Sequence, residues 1–100
     1  MLFRSVGIVG LGLIGGSLGL DLRSHTPKNL RVIGVSRSEV TCQTAVEIGV
    51  ADHASIDLAT LSTADIVFLC TPIDRIAPTL EQLVPYLSPT TIVKIGRAHV

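Results

Sequence analysis

The chain lacks tryptophan, and aromatic residues make up only 3% of its 100 positions, which removes the stacking platforms that hold single-stranded nucleic acid. Charge of one sign is missing as well. Eight Lys and Arg balance eight Asp and Glu for a formal net charge of +0, so no basic stripe favours nucleic acid and no polybasic segment favours an anionic membrane surface. Cysteine is scarce. Cys42 and Cys70 have no motif spacing and read as reduced, structural thiols in a chain without an export signal. His25, His53 and His99 stand at ligand spacing neither from one another nor from a cysteine, and no metal site is expected. The expected partner is a small molecule, with neither nucleic acid nor membrane.

Arg4 followed by the apolar run over residues 6–20 superficially resembles a secretory signal. Five glycines between Gly7 and Gly16 suit a turn better than a membrane-inserting helix, and no convincing small-residue cleavage site precedes Arg23. A cytoplasmic protein is expected. The 47% hydrophobic content is enough for one core and one small domain.

Strand-like and helix-like patterns alternate along the chain. Residues 6–9 predict a first strand, 13–25 a first helix, and the β-branched run 30–35 a second strand. Ser38 is placed to cap a second helix, with Cys42, Ala45, Val46 and Gly49 at helical offsets and Gly49 ending it. Residues 52–56 predict a short third strand and 57–61 a turn of helix. The run Ile66-Val67-Phe68-Leu69-Cys70 reads as a fourth strand buried on both faces of a parallel sheet. Thr71-Pro72 resembles a capped helix start, and Ile73, Ile76, Ala77, Leu80, Leu83, Val84 and Leu87 give the helix its apolar face. Residues 91–93 begin a fifth strand. The expected fold is α/β, a Rossmann-like doubly wound parallel sheet of about five strands in the order 3-2-1-4-5, incomplete at its C-terminus.

Gly10-Leu11-Gly12-Leu13-Ile14-Gly15 follows the first strand and opens the first helix. In that setting the first glycine permits the tight turn, the second admits a pyrophosphate to the backbone, and the third lets helix and strand pack closely. A G-x-G-x-x-G string alone is common. The flanking strand and helix make it a dinucleotide cradle. NAD sites of this kind place an acid at the end of the second strand, but here the strand runs into Ser36-Arg37-Ser38. A hydroxyl and a guanidinium would hold an extra phosphate that a carboxylate would repel, and Thr41 adds a hydroxyl from the next helix. NADP is therefore the expected cofactor. Ser36 also stands at capping-box distance from Glu39, and Arg37 has the simpler reading of a solvated charge. The other half of the site is expected beyond the fourth strand, at Cys70, Thr71 and Pro72. Cys70 reads as a small buried residue, not a reactive thiol, and Asp74 and Arg75 as a solvated helix start.

These residues, from Val6-Gly7-Ile8-Val9 through the glycine motif to Ser17-Leu18, then Gly34-Val35-Ser36-Arg37 and Phe68-Leu69-Cys70-Thr71-Pro72-Ile73, resemble the amino-terminal domain of the prephenate/arogenate dehydrogenases. The likeness runs from about Arg4 to Val93 and is nearest the NADP-dependent arogenate type of photosynthetic bacteria. It implies an oxidoreductase of tyrosine biosynthesis that oxidatively decarboxylates arogenate or prephenate, homodimeric at full length. It also implies cofactor roles for Gly10, Leu11, Gly12, Leu13, Ile14, Gly15, Ser36, Arg37, Thr41, Cys70, Thr71 and Pro72. The family's catalytic histidine and substrate arginine have no counterpart here, so no catalytic residue is expected and the chain alone should be inactive.

The last residues, Lys94-Ile95-Gly96-Arg97-Ala98-His99-Val100, depart from the family's Asp-Val/Ala-Gly/Ser-Ser-Val-Lys continuation. Ile-Gly-Arg-Ala-His-Val is also what one reading frame of a common sequencing adapter encodes. The expected division is thus a partial dinucleotide-binding domain over 1–94 and a non-native tail over 95–100, with a genuine divergent strand end as the other reading. Two alternatives for function stay open at this point: another NADP-dependent reductase of similar architecture, of pyrroline-carboxylate or hydroxyacid type, and a nucleotide-sensing module without chemistry.

Overall fold

The computed structural model describes residues 4–12, 16, 18–20 and 30–95. Five strands, β1 (Ser5–Val9), β2 (Arg31–Val35), β3 (His53–Ser55), β4 (Ile66–Leu69) and β5 (Ile92–Ile95), form one sheet in the order β3-β2-β1-β4-β5. Every pairing is parallel, with Ile8 opposite Gly34 on one side and Phe68 on the other. The order reverses between β1 and β4, as the alternation of elements predicts for a doubly wound sheet.

Strands covered on both faces cannot alternate apolar with polar, and β1 is buried at all five positions. Their side chains divide instead between two cores. Val9, Ile33, Val35, Val67 and Leu69 meet Leu61 and Leu83 on one face. Ile8 and Val32 meet Leu11, Ala45, Val50 and Ala51 on the other. Leu83 belongs to helix α2 (Ile76–Leu83), which closes the first face; α1 (Glu39–Glu47) supplies Ala45 to the second. Gly16 and residues 18–20 are helical, and the partly buried Leu18 packs on that second core. The remaining expected extent of the first helix, including His25, lies outside the described residues.

Helix α1 begins and ends as its sequence predicts. The Ser38 hydroxyl accepts from the Thr41 N–H at 3.3 Å, satisfying one of the orphan donors of the first turn. At the other end Gly49 has φ +84°. Its N–H donates to the Val46 carbonyl and that of Val50 to Ala45, which is the Schellman arrangement with its apolar contact between Ala45 and Val50.

Two acids anchor the strand starts away from the strands' carboxyl ends. Asp65 Oδ2 accepts from Arg4 N at 2.7 Å and Ser5 N at 3.0 Å, while Asp65 N donates to Ser5 O. Asp52 repeats the device on β2, accepting from Val32 N at 2.8 Å and donating to Val32 O.

Three expectations need correction. Ile73 and Val84, expected on the apolar face of the last helix, are exposed, because they fall in 3₁₀ turns, Ile73–Arg75 and Val84–Tyr86, on either side of α2. Thr71 does not cap a helix: a 3₁₀ turn, Ile73–Arg75, intervenes with no side-chain cap, and α2 starts only at Ile76. That leaves Pro78 in the first turn of α2, where its missing N–H costs no helical bond. Residues 58–63 form a 3₁₀ helix, Leu58–Thr63, longer than the turn expected over 57–61, because Asp57 caps it through Ala59 N at 2.9 Å.

Candidate functional site

The carboxyl ends of β1, β2 and β4 open into one groove of about 1120 Å³. Gly10 forms its floor. It has φ +91°, and a Cβ there would lie 3.0 Å from the Cys70 carbonyl carbon and oxygen. Only glycine fits that backbone and that approach. The turn is fastened from both sides, with Gly10 N donating to Val35 O and Cys70 N to Val9 O, each at 2.8 Å. Leu11 then turns inward. Its side chain is buried and lies over Gly34, whose absent Cβ would stand 2.8 Å from Leu11 Cδ1, so it is the Leu11 backbone that is left for a ligand. At Gly12 a Cβ would meet no atom within 4 Å. The position faces the open groove, which is the cradle a phosphate needs.

The second wall carries Ser36, Arg37 and Thr41. Ser36 Oγ accepts from Ser38 N at 3.2 Å, not from the backbone of Glu39, so the capping-box reading gives way to a short hydroxyl turn. An accepting hydroxyl retains its own O–H as a donor, and Ser36 keeps that donor for a ligand. The Cys42 thiol lies 3.9 Å from Ser36 O beneath the turn. Arg37 is exposed and, among the described residues, has no ion-pair partner.

Cys70, Thr71 and Pro72 complete the groove where β4 ends. Burial pushes the Cys70 thiol up from its usual range, which keeps it protonated and poorly nucleophilic. Thr71 Oγ1 is buried with no hydrogen-bond partner. A buried hydroxyl left unsatisfied is costly, and here it lines a groove, so a bound polar group would satisfy it. Leu13, Ile14 and Gly15 of the expected cradle lie outside the described residues. His53 is exposed on β3 and does not line the groove, and among the described residues no three His, Cys, Asp or Glu gather in a way that could hold a metal ion.

Arg75 was not expected here. It lines the groove with Pro78, Thr79 and Gln82, positions spaced as one face of a helix. Among the described residues the lining thus contains two arginines and no carboxylate, although the whole chain is neutral. Such a groove favours an anion. A shallower hollow between α1 and β3 includes Glu39 and Glu47 in its lining, and its charge is wrong for the same ligand. Among the described residues no helix is long and apolar enough to cross a membrane.

The comparisons agree with this geometry. The prephenate dehydrogenase nucleotide-binding domain family matches residues 18–95. A prephenate dehydrogenase of Bacillus subtilis (strain 168) is 34% identical over 77 residues, which is 76% of this chain and 20% of the relative. The crystal structure of Synechocystis arogenate dehydrogenase superposes with a TM-score of 0.87 at 54% identity, covering 93% of this chain and 32% of that one. Prephenate dehydrogenase from A. aeolicus, solved in complex with hydroxyphenyl propionate and NAD+, also gives 0.87, at 26% identity over 95% of this chain and 34% of that one. The chain therefore spans about a fifth of the curated relative and about a third of these two structures. With a glycine turn at the switch point of an all-parallel sheet and a family match over residues 18–95, the chain belongs to the prephenate dehydrogenase family as its nucleotide-binding domain.

Proposed function

We propose that this domain binds NADP, as the cofactor-holding part of an enzyme that oxidatively decarboxylates arogenate or prephenate. The observation that carries the reading is the groove's charge: Arg37 and Arg75 with no acid among the described lining residues, and Ser36 where an NAD site would place one. Backbone at Gly10, Leu11 and Gly12, continued by Leu13, Ile14 and Gly15, would hold the pyrophosphate. Ser36, Arg37 and Thr41 would hold the extra phosphate through charge-assisted hydrogen bonds. Cys70, Thr71 and Pro72 would border the nicotinamide half, with Thr71 Oγ1 gaining the partner it lacks. When bound, the cofactor supplies a hydride acceptor.

Turnover needs more than this domain. Among the described residues the groove lining offers no His, Asp, Glu, Lys or Tyr as a general acid or base, and its thiol is held protonated. A small-molecule substrate must also be held against the cofactor, since orientation supplies much of the rate. The chain spans about a third of those two structures, and such groups would lie in the part that it does not span. The chain alone is therefore inactive, and the full-length enzyme is a cytoplasmic homodimer. Residues 95–100 are a non-native tail to the domain of residues 1–94. The family match includes none of residues 96–100, and the pairing of Ile95 with Leu69 is a backbone contact that any non-proline residue can make.

The test is a change of cofactor preference. Ser36→Asp restores the acid of an NAD site and should move preference from NADP towards NAD by about 100-fold, near 3 kcal/mol, the scale of a charge-assisted contact replaced by repulsion. An unchanged NADP/NAD ratio would remove the assignment.

A further inference from the structure

The walls of the groove divide its positive charge. Arg37 rises from the β2–α1 turn; Arg75 faces it from the other side, at the junction of the 3₁₀ turn Ile73–Arg75 and helix α2. Its backbone is fixed there, because Arg75 N donates to Pro72 O at 2.8 Å. The rotation of α2 is fixed too. Ile76, Leu80 and Leu83 pack into the core, which turns the stripe containing Arg75, Pro78, Thr79 and Gln82 towards the groove. Arg75 is exposed and has no ion-pair partner among the described residues; neighbouring Asp74 does not line the groove.

Two guanidinium groups lining one groove make its potential positive and favour an anion there. The pyrophosphate does not need them, since a glycine cradle binds it through backbone N–H groups and the helix dipole. Their complement is a second anionic group of higher charge. From this we infer that Arg75 is a specificity-determining residue: with Arg37 it clamps a phosphate monoester on the adenosine ribose, from the wall opposite Ser36. The inference rests on the NADP reading and extends it to a residue outside the glycine motif and the β2–α1 turn.

Adenosine 2′,5′-bisphosphate and ADP are suitable probes, as they differ in the position of one phosphate and need no catalysis. Titrated by calorimetry into the 100-residue chain, Arg75→Ala should weaken the bisphosphate about 10-fold while changing ADP less than 2-fold. Arg75→Lys should recover part of the loss, because a point charge replaces a fork. The bisphosphate's salt dependence should flatten in Arg75→Ala, with circular dichroism unchanged since the side chain is exposed. Equal weakening of both ligands would assign Arg75 to the adenine or the pyrophosphate and overturn the inference, as would no weakening of either. If the unsubstituted chain bound both ligands equally, the NADP reading would fall and this inference with it. If the chain preferred the bisphosphate, Arg37→Ala removed that preference and Arg75→Ala did not, only the role of Arg75 would fall.

Discussion

Replacing Gly10 and Gly12 separately by alanine separates the fold from the site, because the two glycines answer to different constraints. At Gly10 the φ of +91° penalises any side chain, at about 1–2 kcal/mol for the left-handed region. The new Cβ would also sit 3.0 Å from the Cys70 carbonyl and 3.1 Å from Thr71 N. Those are backbone atoms tied into the sheet by the Cys70 to Val9 bond, so the contact relaxes only by moving β4, an overpacking cost of about 1–3 kcal/mol. The sum, about 2–5 kcal/mol, is a large part of the stability of a small domain. Near its middle it lowers Tm by roughly 10–20 °C. At Gly12 neither term applies: φ lies outside the left-handed region and a Cβ meets nothing within 4 Å. Gly12→Ala should leave Tm within about 3 °C of the parent, or raise it slightly by restricting the unfolded chain, yet weaken nucleotide binding at least about 10-fold by filling the phosphate's space. Thermal denaturation followed by circular dichroism, with calorimetric titration of NADP on each folded variant, measures both. Destabilisation by Gly12→Ala as large as that by Gly10→Ala, or nucleotide binding by Gly12→Ala equal to the parent's, would refute this division of roles.

Other outcomes follow from the same contacts. Leu83→Ala empties a fully buried position at the base of α2 and should cost about 2–5 kcal/mol in urea unfolding. Asp65→Ala removes the acceptor for Arg4 N and Ser5 N; with one of the two bonds exposed, a loss of about 2 kcal/mol is expected by the same method. Ser38→Ala should cost about 1 kcal/mol through the lost cap of α1, and loosen NADP binding modestly because Thr41 stands on that first turn. The raised Cys70 pKa means the folded chain holds this proton more tightly than the unfolded one. Its stabilising contribution is therefore complete below the unfolded thiol pKa and is lost as pH rises through the folded value. Iodoacetamide should accordingly modify Cys70 at pH 8 more slowly than a free thiol, and a rate equal to that of the unfolded chain would contradict the burial.

Much of this architecture is legible in the sequence because a parallel sheet buried on both faces leaves coarse marks. Ile66-Val67-Phe68-Leu69 is apolar without interruption, and Gly49 closes α1 as a left-handed glycine should. Ser36, Arg37 and the first glycines were legible for a related reason: they occupy positions defined by the chain's own strand ends. The wall across the groove was not. Asp74-Arg75 looks like any solvated helix start, and Thr71 like a cap, until burial of Ile76, Leu80 and Leu83 fixes how α2 is turned. The available signal was the stripe complementary to that apolar face, Arg75, Pro78, Thr79 and Gln82, which only a sheet beside the helix makes into a wall. The 3₁₀ turn before α2 left no mark in apolar spacing, since a three-residue element is too short to show a period.

Direct titration of the unmodified chain with NADP and with NAD tests most simply whether this groove takes an anion beyond the pyrophosphate, as proposed. At fixed moderate salt NADP should bind at least about 10-fold more tightly, near 1.4 kcal/mol, with the advantage shrinking as salt rises. Equal affinities, or a preference for NAD, would contradict the account.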